Sequence, residues 1–191
     1  MALTASTMLP IGTEAFNFAL PDVVNGQQIT LEAFQEKTAL LIIFLSRHCP
    51  YVQHVKGELA KLGRDFVSRS VGIVAICSND AAHYPEDSPA KLKEMACEFN
   101  FPLCHDESQA VAKSYKAACT PDFFLFDQNR KLVYRGQLDD SRPGNDVPVT
   151  GRDLRAAVEA VLEGKPVSAD QRPSLGCNIK WKPGQEPAYA N

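Results

Sequence analysis

The chain has 191 residues, of which 45% are hydrophobic, and 20 Lys and Arg face 23 Asp and Glu for a net charge of −3. This composition is typical of one folded domain with appendages and excludes a disordered or collagen-like chain. The near balance of charge excludes the basic surface that nucleic acid or anionic lipid requires, so neither is an expected partner.

The longest apolar run, residues 39–45, has the length of a strand. A membrane-spanning helix needs roughly 18 apolar residues, so no membrane segment is expected. The amino terminus MALTASTMLPIG has neither Lys nor Arg nor a long apolar stretch, which argues against a secretory signal. We therefore predict a cytoplasmic protein with reduced thiols. Its six cysteines form no C-x-x-C motif, and neither a zinc ribbon, a disulfide framework nor a bound cofactor is expected.

Hydrophobic periodicity predicts strands that alternate with helices. In chain order, the predicted elements are a hairpin within 15–31, a buried strand at 38–45, a helix at 51–68, a buried strand at 71–77, a helix at 86–100, a strand at 101–105, a helix at 107–117, a hairpin of 122–127 with 131–136, and a helix at 152–162. This order predicts an α/β fold whose central mixed sheet has a parallel core and a closing antiparallel hairpin.

Four of the 13 prolines lie in the last 27 residues. Proline disfavours regular helix and central strand. We therefore predict one domain over residues 1–163 and an extended carboxyl-terminal arm, residues 164–191, packed on the same domain.

Cys49 lies where a buried strand ends and a helix begins, because the apolar period changes from continuous to 3 and 4 residues after it. The amino end of a helix carries free N–H groups and the positive end of the dipole, and both stabilise a thiolate. We predict that Cys49 is a reactive, solvent-accessible thiolate rather than an inert buried cysteine. His48 beside it is either a proton carrier for the thiolate or a loop residue that faces solvent.

Four segments jointly resemble the thioredoxin superfamily in its redoxin branch, which includes the alkyl hydroperoxide reductase and thiol-specific antioxidant proteins. They are His48-Cys49-Pro50, Cys119-Thr120-Pro121-Asp122, the sequence DDSRPGN at 139–145, and GCNIKW at 176–181. More closely, they resemble an uncharacterised peroxiredoxin-like group. The resemblance covers roughly residues 10–163 and implies a thioredoxin-like fold with an amino-terminal β-hairpin.

The resemblance also implies a site. Thr120 and Pro121 match the loop with a cis-proline that borders the reactive cysteine, and with Pro50 they would contact substrate. Ser46 matches the hydroxyl position of peroxiredoxins, three residues before the cysteine. Arg142 is a candidate substrate-binding residue, although its loop is alternatively a hydrogen-bonded connection.

The sequence departs from both families at functional positions. Val52 stands where thioredoxins carry their second cysteine. Ile42 stands where peroxiredoxins have proline, and Pro121 where they have an arginine on a later strand. A hydroperoxide needs donors that stabilise charge on its leaving oxygen, so the missing arginine, together with Thr120-Pro121, favours disulfide exchange. Ser46 and the resemblance itself favour peroxide reduction, and we rank exchange first.

Two other cysteines are candidates to form a disulfide with Cys49. If Pro121 is cis, Cys119 lies near Cys49 and replaces the missing second cysteine, or else it is a small packing residue. Cys177 is the second candidate, although its arm is more simply explained as a cover that buries Trp181. A metal site built from these cysteines and His48 is not expected, because no local ligand spacing supports it.

These observations predict a thiol-dependent oxidoreductase that uses Cys49 for thiol–disulfide exchange, with Cys119 as the resolving thiol. One alternative is an atypical peroxiredoxin-like antioxidant that reduces hydroperoxides. The other is a non-catalytic thioredoxin-like module that binds a partner or copper. The expected partners are a disulfide or hydroperoxide substrate and a reducing thiol protein or glutathione.

Overall fold

The computed structural model describes residues 3–190. Within these residues, ten strands occur in chain order: β1 (Leu3–Ala5), β2 (Ala19–Pro21), β3 (Gln28–Thr30), β4 (Ala39–Phe44), β5 (Val71–Cys77), β6 (Leu103–His105), β7 (Cys119–Thr120), β8 (Asp122–Phe126), β9 (Leu132–Tyr134) and β10 (Leu175–Asn178). The α-helices are α1 (Pro50–Phe66), α2 (Pro89–Ala96), α3 (Ala110–Ser114) and α4 (Arg152–Leu162).

The central sheet has the strand order β6-β5-β4-β8-β9. Strand β4 pairs in parallel with β5, and β5 pairs in parallel with β6. Strands β8 and β9 complete the sheet in antiparallel pairing, as the predicted hairpin requires. Every residue of β4 and β5 is buried, because helices and loops cover both faces of the sheet. The predicted α/β fold with a mixed central sheet is confirmed.

Alternate residues of the central strands enter two different cores. On one face, odd-numbered residues of β4 and β5 pack against α1, α2 and α4. On the other face, even-numbered residues pack against α3, the β2–β3 hairpin and the carboxyl-terminal arm, with Tyr115 at the centre. This alternation is the period of two that a strand imposes on its side chains.

A second, three-stranded sheet has the order β1-β10-β7. Strand β10 belongs to the arm, and it lies antiparallel between β1 at the amino terminus and β7 beside the central sheet. The arm is therefore part of the folded domain, because its strand β10 pairs with two other strands. Within residues 3–190, no helix is both long and apolar enough to cross a bilayer.

Three predicted elements have different bounds in the structure. The helix predicted at 86–100 is divided, because a single 3₁₀ turn (Pro85–Asp87) precedes α2 and Pro89 sets a new helix start. The helix predicted at 107–117 is limited to α3 by positive φ angles at Gln109 and Lys116. The first strand of the hairpin is β2, several residues later than predicted.

Candidate active site

Cys49 occupies the N-cap of α1, with extended backbone dihedrals of φ −74° and ψ 120°. The chain leaves β4 at Phe44 and enters the helix at Pro50, whose missing N–H costs nothing at the first helical position. The predicted junction is therefore present. The prediction of a solvent-accessible thiolate is wrong for this arrangement, because Cys49 is 0% exposed.

The sulfur of Cys49 has two hydrogen-bond partners within the described chain. Its Sγ lies 2.9 Å from the Sγ of Cys177 and 3.1 Å from the carbonyl oxygen of Thr120. The two sulfurs are thus about 0.9 Å farther apart than the roughly 2.05 Å of a disulfide bond. Cys177 is also buried, at 3% exposure. The structure pairs Cys49 with Cys177, which the sequence ranked second.

The loop before β8 brings the two cysteines together. The peptide bond between Thr120 and Pro121 is cis. Thr120 faces Cys177 in the pairing of β7 with β10, so the carbonyl that contacts Cys49 belongs to a residue that also positions Cys177.

The arm approaches this loop at Gly176. A Cβ atom at Gly176 would lie 2.0 Å from the carbonyl oxygen and 2.7 Å from the carbonyl carbon of Thr120. Real Cβ atoms do not make such contacts with backbone, so only glycine permits β10 to lie this close to the loop. Gly176 therefore sets the position of Cys177 over Cys49.

Cys119, the first candidate for the resolving thiol, is directed elsewhere. Its Sγ lies 3.7 Å from the carbonyl oxygen of Pro121 and 3.8 Å from that of Ser174. Burial raises the pKa of Cys119 well above its usual value, and the charge of Asp122 adds to the effect. Cys119 therefore has the surroundings of a buried packing residue, and the ranking of Cys119 above Cys177 is reversed.

Burial, together with the contact from Cys49, raises the pKa of Cys177 to about 12. Cys177 is therefore a thiol at neutral pH. A carbonyl oxygen can only accept a hydrogen bond, so Cys49 is the donor in its contact with Thr120. Cys49 Sγ is likewise the donor in its contact with Cys177 Sγ.

Ser46 and His48 both bind Asp87, a buried residue that sequence analysis did not single out. The Asp87 carboxylate accepts hydrogen bonds from Ser46 Oγ at 2.9 Å, Asn79 Nδ2 at 2.7 Å and the Arg47 backbone N–H at 2.6 Å. His48 Nδ1 lies 2.7 Å from the same carboxylate. These bonds hold the connection between β4 and α1, and the Ser46 hydroxyl donates its hydrogen to Asp87.

The pKa of Asp87 lies below its usual value of 3.8. Burial acts to raise it, but hydrogen bonds from His48, Asn79 and Ser46 and the charge of His48 outweigh burial. The carboxylate is therefore ionised at neutral pH. A buried anion of this kind is tolerated because donors surround it.

Lys180, also not anticipated, is a buried lysine three residues beyond Cys177. It is 7% exposed, and its Nζ donates to the carbonyl oxygen of Asn178 at 2.8 Å and to Asn178 Oδ1 at 2.6 Å. The Nζ also lies 5.9 Å from the centre of the Tyr84 ring. The ring of Tyr84 in turn stacks on that of His48, with 5.6 Å between centroids. The arm thus brings a cation to the same region as the two sulfurs.

Arg142 makes its hydrogen bonds within its own loop and to nearby Gln137. Its guanidinium donates to the carbonyl oxygens of Asp139 at 2.6 Å and Ser141 at 2.7 Å and to Gln137 Oε1. Asp139 accepts from the backbone N–H of Gly151, the residue that precedes α4, at 2.6 Å. Residues 139–145 are therefore a hydrogen-bonded connection. Arg142 does line a cavity of about 10 Å³ beside Pro121, which is room for roughly one water molecule.

No group of three or more His, Cys, Asp or Glu side chains within residues 3–190 is arranged to hold a metal ion. The soft ligands that do meet are two sulfurs, Cys49 and Cys177.

Comparison with known proteins places this geometry in a family. The model of the Redoxin family matches residues 10–154, which is most of the chain. The chain belongs to the Redoxin family. The resemblance to the redoxin branch is thereby confirmed, and family membership supports a thiol-based redox role for this redoxin. No curated protein sequence matches the chain.

Two solved structures resemble this redoxin over nearly their whole length. A conserved protein from Geobacillus kaustophilus is 52% identical with a TM-score of 0.94, and 96% of this chain aligns with 98% of that one. A hypothetical protein from Sinorhizobium meliloti 1021 is 49% identical with a TM-score of 0.93, and 95% of this chain aligns with 100% of that one.

A more distant structure, a peroxidoxin from Mycobacterium tuberculosis, is 17% identical with a TM-score of 0.60. It aligns 82% of this redoxin with 97% of its own chain. At this identity the likeness establishes the fold alone. The predicted thioredoxin-like fold is confirmed.

Proposed function

We propose that this redoxin is a thiol–disulfide oxidoreductase whose active couple is Cys49 and Cys177. The single observation that carries the proposal is the distance of 2.9 Å between their sulfur atoms. Free thiols this close become a disulfide with a movement of less than about 1 Å, because the S–S bond measures roughly 2.05 Å. Val52 leaves α1 without a second cysteine, and the arm supplies one in its place.

The exchange reaction uses the thiolate of Cys49, because the thiolate is the nucleophilic form of a cysteine. The Cys49 thiolate attacks one sulfur of a substrate disulfide, a mixed disulfide forms, and the other substrate sulfur leaves as a thiolate that takes a proton from water. Cys177 then loses its proton, attacks the Cys49 sulfur and releases the second substrate thiol. Two electrons pass from the pair to the substrate, and a reducing thiol protein or glutathione returns them.

Cys49 must become accessible before a disulfide substrate can react with it. A disulfide substrate is too large to reach a sulfur that is 0% exposed. Access therefore requires movement of the segment around Cys177, while closure of the Cys49–Cys177 disulfide does not. Strand β10 is four residues long and its backbone pairs with two short strands, so local opening costs less than global unfolding.

Reduction of hydroperoxides is the second candidate, because a hydroperoxide needs a smaller opening than a protein disulfide to reach a sulfur that is 0% exposed. The hydroperoxide would convert Cys49 to a sulfenic acid with loss of water or an alcohol, and Cys177 would displace water to give the same disulfide. Against it, Ser46 binds Asp87 and Arg142 binds its own loop, which leaves neither directed at the leaving oxygen.

The deciding experiment oxidises the reduced protein with oxidised glutathione or hydrogen peroxide and maps disulfides by mass spectrometry. We expect a Cys49–Cys177 disulfide in the wild type and in Cys119→Ser, and none in Cys49→Ser or Cys177→Ser. Cys97→Ser, which removes an exposed thiol immediately after α2, is the matched control. A disulfide that survives in Cys177→Ser but disappears in Cys119→Ser would restore Cys119 as the resolving thiol.

Measurements of enzymatic turnover distinguish disulfide exchange, hydroperoxide reduction and a non-catalytic binding module. We expect the wild type to reduce insulin disulfides with a thiol reductant faster than it reduces hydrogen peroxide, and Cys49→Ser to lose both activities. Faster peroxide turnover would establish the second candidate. Absence of turnover in the wild type, with partner or copper binding retained in Cys49→Ser, would identify a binding module and overturn the proposal.

A further inference from the structure

Asn79 is a buried residue in the connection between β5 and α2, and its side-chain amide joins two segments of the site. Its Nδ2 donates to the Asp87 carboxylate at 2.7 Å, and its Oδ1 accepts the backbone N–H of Lys180 at 2.8 Å. A carboxylate can only accept and a backbone N–H can only donate, so these partners fix the orientation of the amide. Asn79 is 3% exposed, so water competes little for either hydrogen bond.

The two segments that Asn79 joins are those that carry the two cysteines. The Asp87 carboxylate is hydrogen-bonded to each residue of the segment 46–48, which immediately precedes Cys49. On the other side, the N–H that Asn79 accepts belongs to the residue three positions after Cys177. A continuous chain of hydrogen bonds therefore connects the start of α1 to the arm.

Gln109 binds the same part of the arm from the turn before α3. Its side chain is 0% exposed, and its Nε2 donates to the carbonyl oxygens of Lys180 at 2.9 Å and Ser78 at 2.7 Å. Its Oε1 accepts the backbone N–H of Lys182 at 2.9 Å. The Lys180 carbonyl also accepts the backbone N–H of Asp80 at 2.8 Å. Both backbone groups of Lys180 are therefore bound to the body of the domain.

The arm has a second attachment on the other side of Cys177. Ser174 is 2% exposed, and its Oγ donates to the carbonyl oxygen of Pro121 at 2.6 Å. Residues 175–179 are therefore a short segment between two attachments, with Cys177 at its centre. A short segment fixed at both ends has few conformations, so the attachments determine where Cys177 lies relative to Cys49.

We propose that Asn79 is a positioning residue for the Cys49–Cys177 pair, because its amide ties the carboxylate that holds the start of α1 to the backbone of the arm. Gln109 supports it by fixing the other backbone group of Lys180. Asn79 acts through these segments rather than on the sulfurs themselves. The inference rests on the proposed function, since it concerns how that pair closes and opens.

The first test follows the mixed disulfide that the reduced protein forms with oxidised glutathione. The Cys49 thiolate bonds to one glutathione sulfur and releases the other as a thiolate, and Cys177 then displaces the bound glutathione. Acid quenching and mass spectrometry measure both species over time. In Asn79→Leu we expect the mixed disulfide to accumulate and to resolve about tenfold more slowly than in the wild type, because Cys177 is less well placed.

The second test measures how often the arm opens. Iodoacetamide should label Cys49 of the reduced native Asn79→Leu protein about tenfold faster than in the wild type, because a buried hydrogen bond that opposes local opening is lost. Labelling of Cys77, which is buried in the central strand β5, should stay slow. Local opening and general loss of stability are thereby distinguished, since unfolding exposes both cysteines together.

The chain offers a matched control for the amide clamp. Gln109→Met removes the hydrogen bonds of Gln109 to the arm and should change both rates in the same direction as Asn79→Leu. Gln137→Met makes the same substitution at another buried amide, which is 4% exposed. The side-chain hydrogen bonds of Gln137 go to Asp140, Asp153 and Arg142, outside residues 175–182. Gln137→Met should therefore leave both rates unchanged.

Thermal melting reports the folding of each variant, and Gln109→Met carries the test if Asn79→Leu does not fold. If the arm variants resolve the mixed disulfide and label Cys49 at the rates of Gln137→Met, the positioning role is overturned while the proposed function stands. If the wild type forms no Cys49–Cys177 disulfide, the proposed function itself fails and this inference fails with it.

Discussion

Asp87 shows how a single side chain organises the start of the active-site helix. It is completely buried, and it connects Ser46, Arg47 and His48 before α1 to Asn79 after β5. An anion with several short hydrogen bonds is stable in the interior only while it stays ionised and its donors stay in place. The position of Cys49, immediately after these three residues, therefore depends on a carboxylate that never contacts its sulfur.

We expect Asp87→Asn to reduce the free energy of unfolding by about 3 kcal/mol at pH 7, because the neutral amide cannot accept from all these donors. The folded-state pKa of Asp87 lies below 3.8, so its stabilisation is present above that pH and is lost as pH falls through the folded value. Urea denaturation at pH 7 and pH 3 measures both effects. The difference between wild type and variant should shrink at pH 3, and a constant difference would contradict this account.

At the scale of elements, β10 is the strand that completes the site. Its contact with the loop at Thr120 has no space for a side chain at Gly176. The strand also buries Cys49, carries Cys177 and precedes Lys180. A small displacement of this four-residue strand therefore changes both the exposure of Cys49 and its distance from Cys177.

We expect Gly176→Ala to displace β10, because the added Cβ would overlap the backbone of Thr120. Overpacking of this kind costs about 1–3 kcal/mol. Disulfide formation between Cys49 and Cys177 should slow at least about tenfold, since effective proximity is lost, and iodoacetamide should label Cys49 faster. Gly57→Ala is the control, because a Cβ at Gly57 in α1 meets nothing within 4 Å. Unchanged labelling and oxidation in Gly176→Ala would show that β10 does not cover the site.

Elements with a strong local pattern could be predicted from sequence, and those formed by pairing could not. The apolar stripe of α4 predicted its bounds, and the structure has α4 at Arg152–Leu162. The sequence LGCN of β10 has no alternation or β-branched residue, so its strand conformation comes from pairing with β1 and β7. Local patterns contain no information about such distant pairing.

The same distinction applies to the site. Cys49 could be found because it lies at a change of hydrophobic period, a local signal. Cys177 lies 128 positions later, and its approach to Cys49 depends on the path of the whole arm. Gly176, immediately before Cys177, is the local feature from which a close approach of two backbones could have been inferred. Asp87 and Lys180 lie outside the α-helices and β-strands, and they could be recognised only from the residues that they contact in the folded structure.

At the scale of the whole molecule, the reactivity of the thiols depends on burial as much as on ionisation. Of the six cysteines, Cys97 is exposed and the other five are buried. A thiolate that solvent reagents cannot reach reacts slowly however strongly it is stabilised. The fold thus separates one surface thiol, Cys97, from the covered pair of Cys49 and Cys177.

We expect Ellman's reagent to modify one thiol, Cys97, rapidly in the native protein at neutral pH, and the remaining thiols at the slower rate of arm opening or unfolding. Cys97→Ser should abolish the fast phase, and urea should bring all six thiols of the wild type into it. A fast native phase that persists in Cys97→Ser and disappears in Cys49→Ser would show that Cys49 is open to solvent.

The short distance between Cys49 and Cys177 also bears on how long the protein survives oxidative stress. Damage to a cysteine becomes permanent when a second oxidant molecule reaches a sulfur that has already been oxidised once. Here a neighbouring thiol is in place before the first encounter, so ring closure competes with that second encounter without waiting for any rearrangement. On the proposed function, the pairing of the arm with the helix protects the protein against irreversible inactivation.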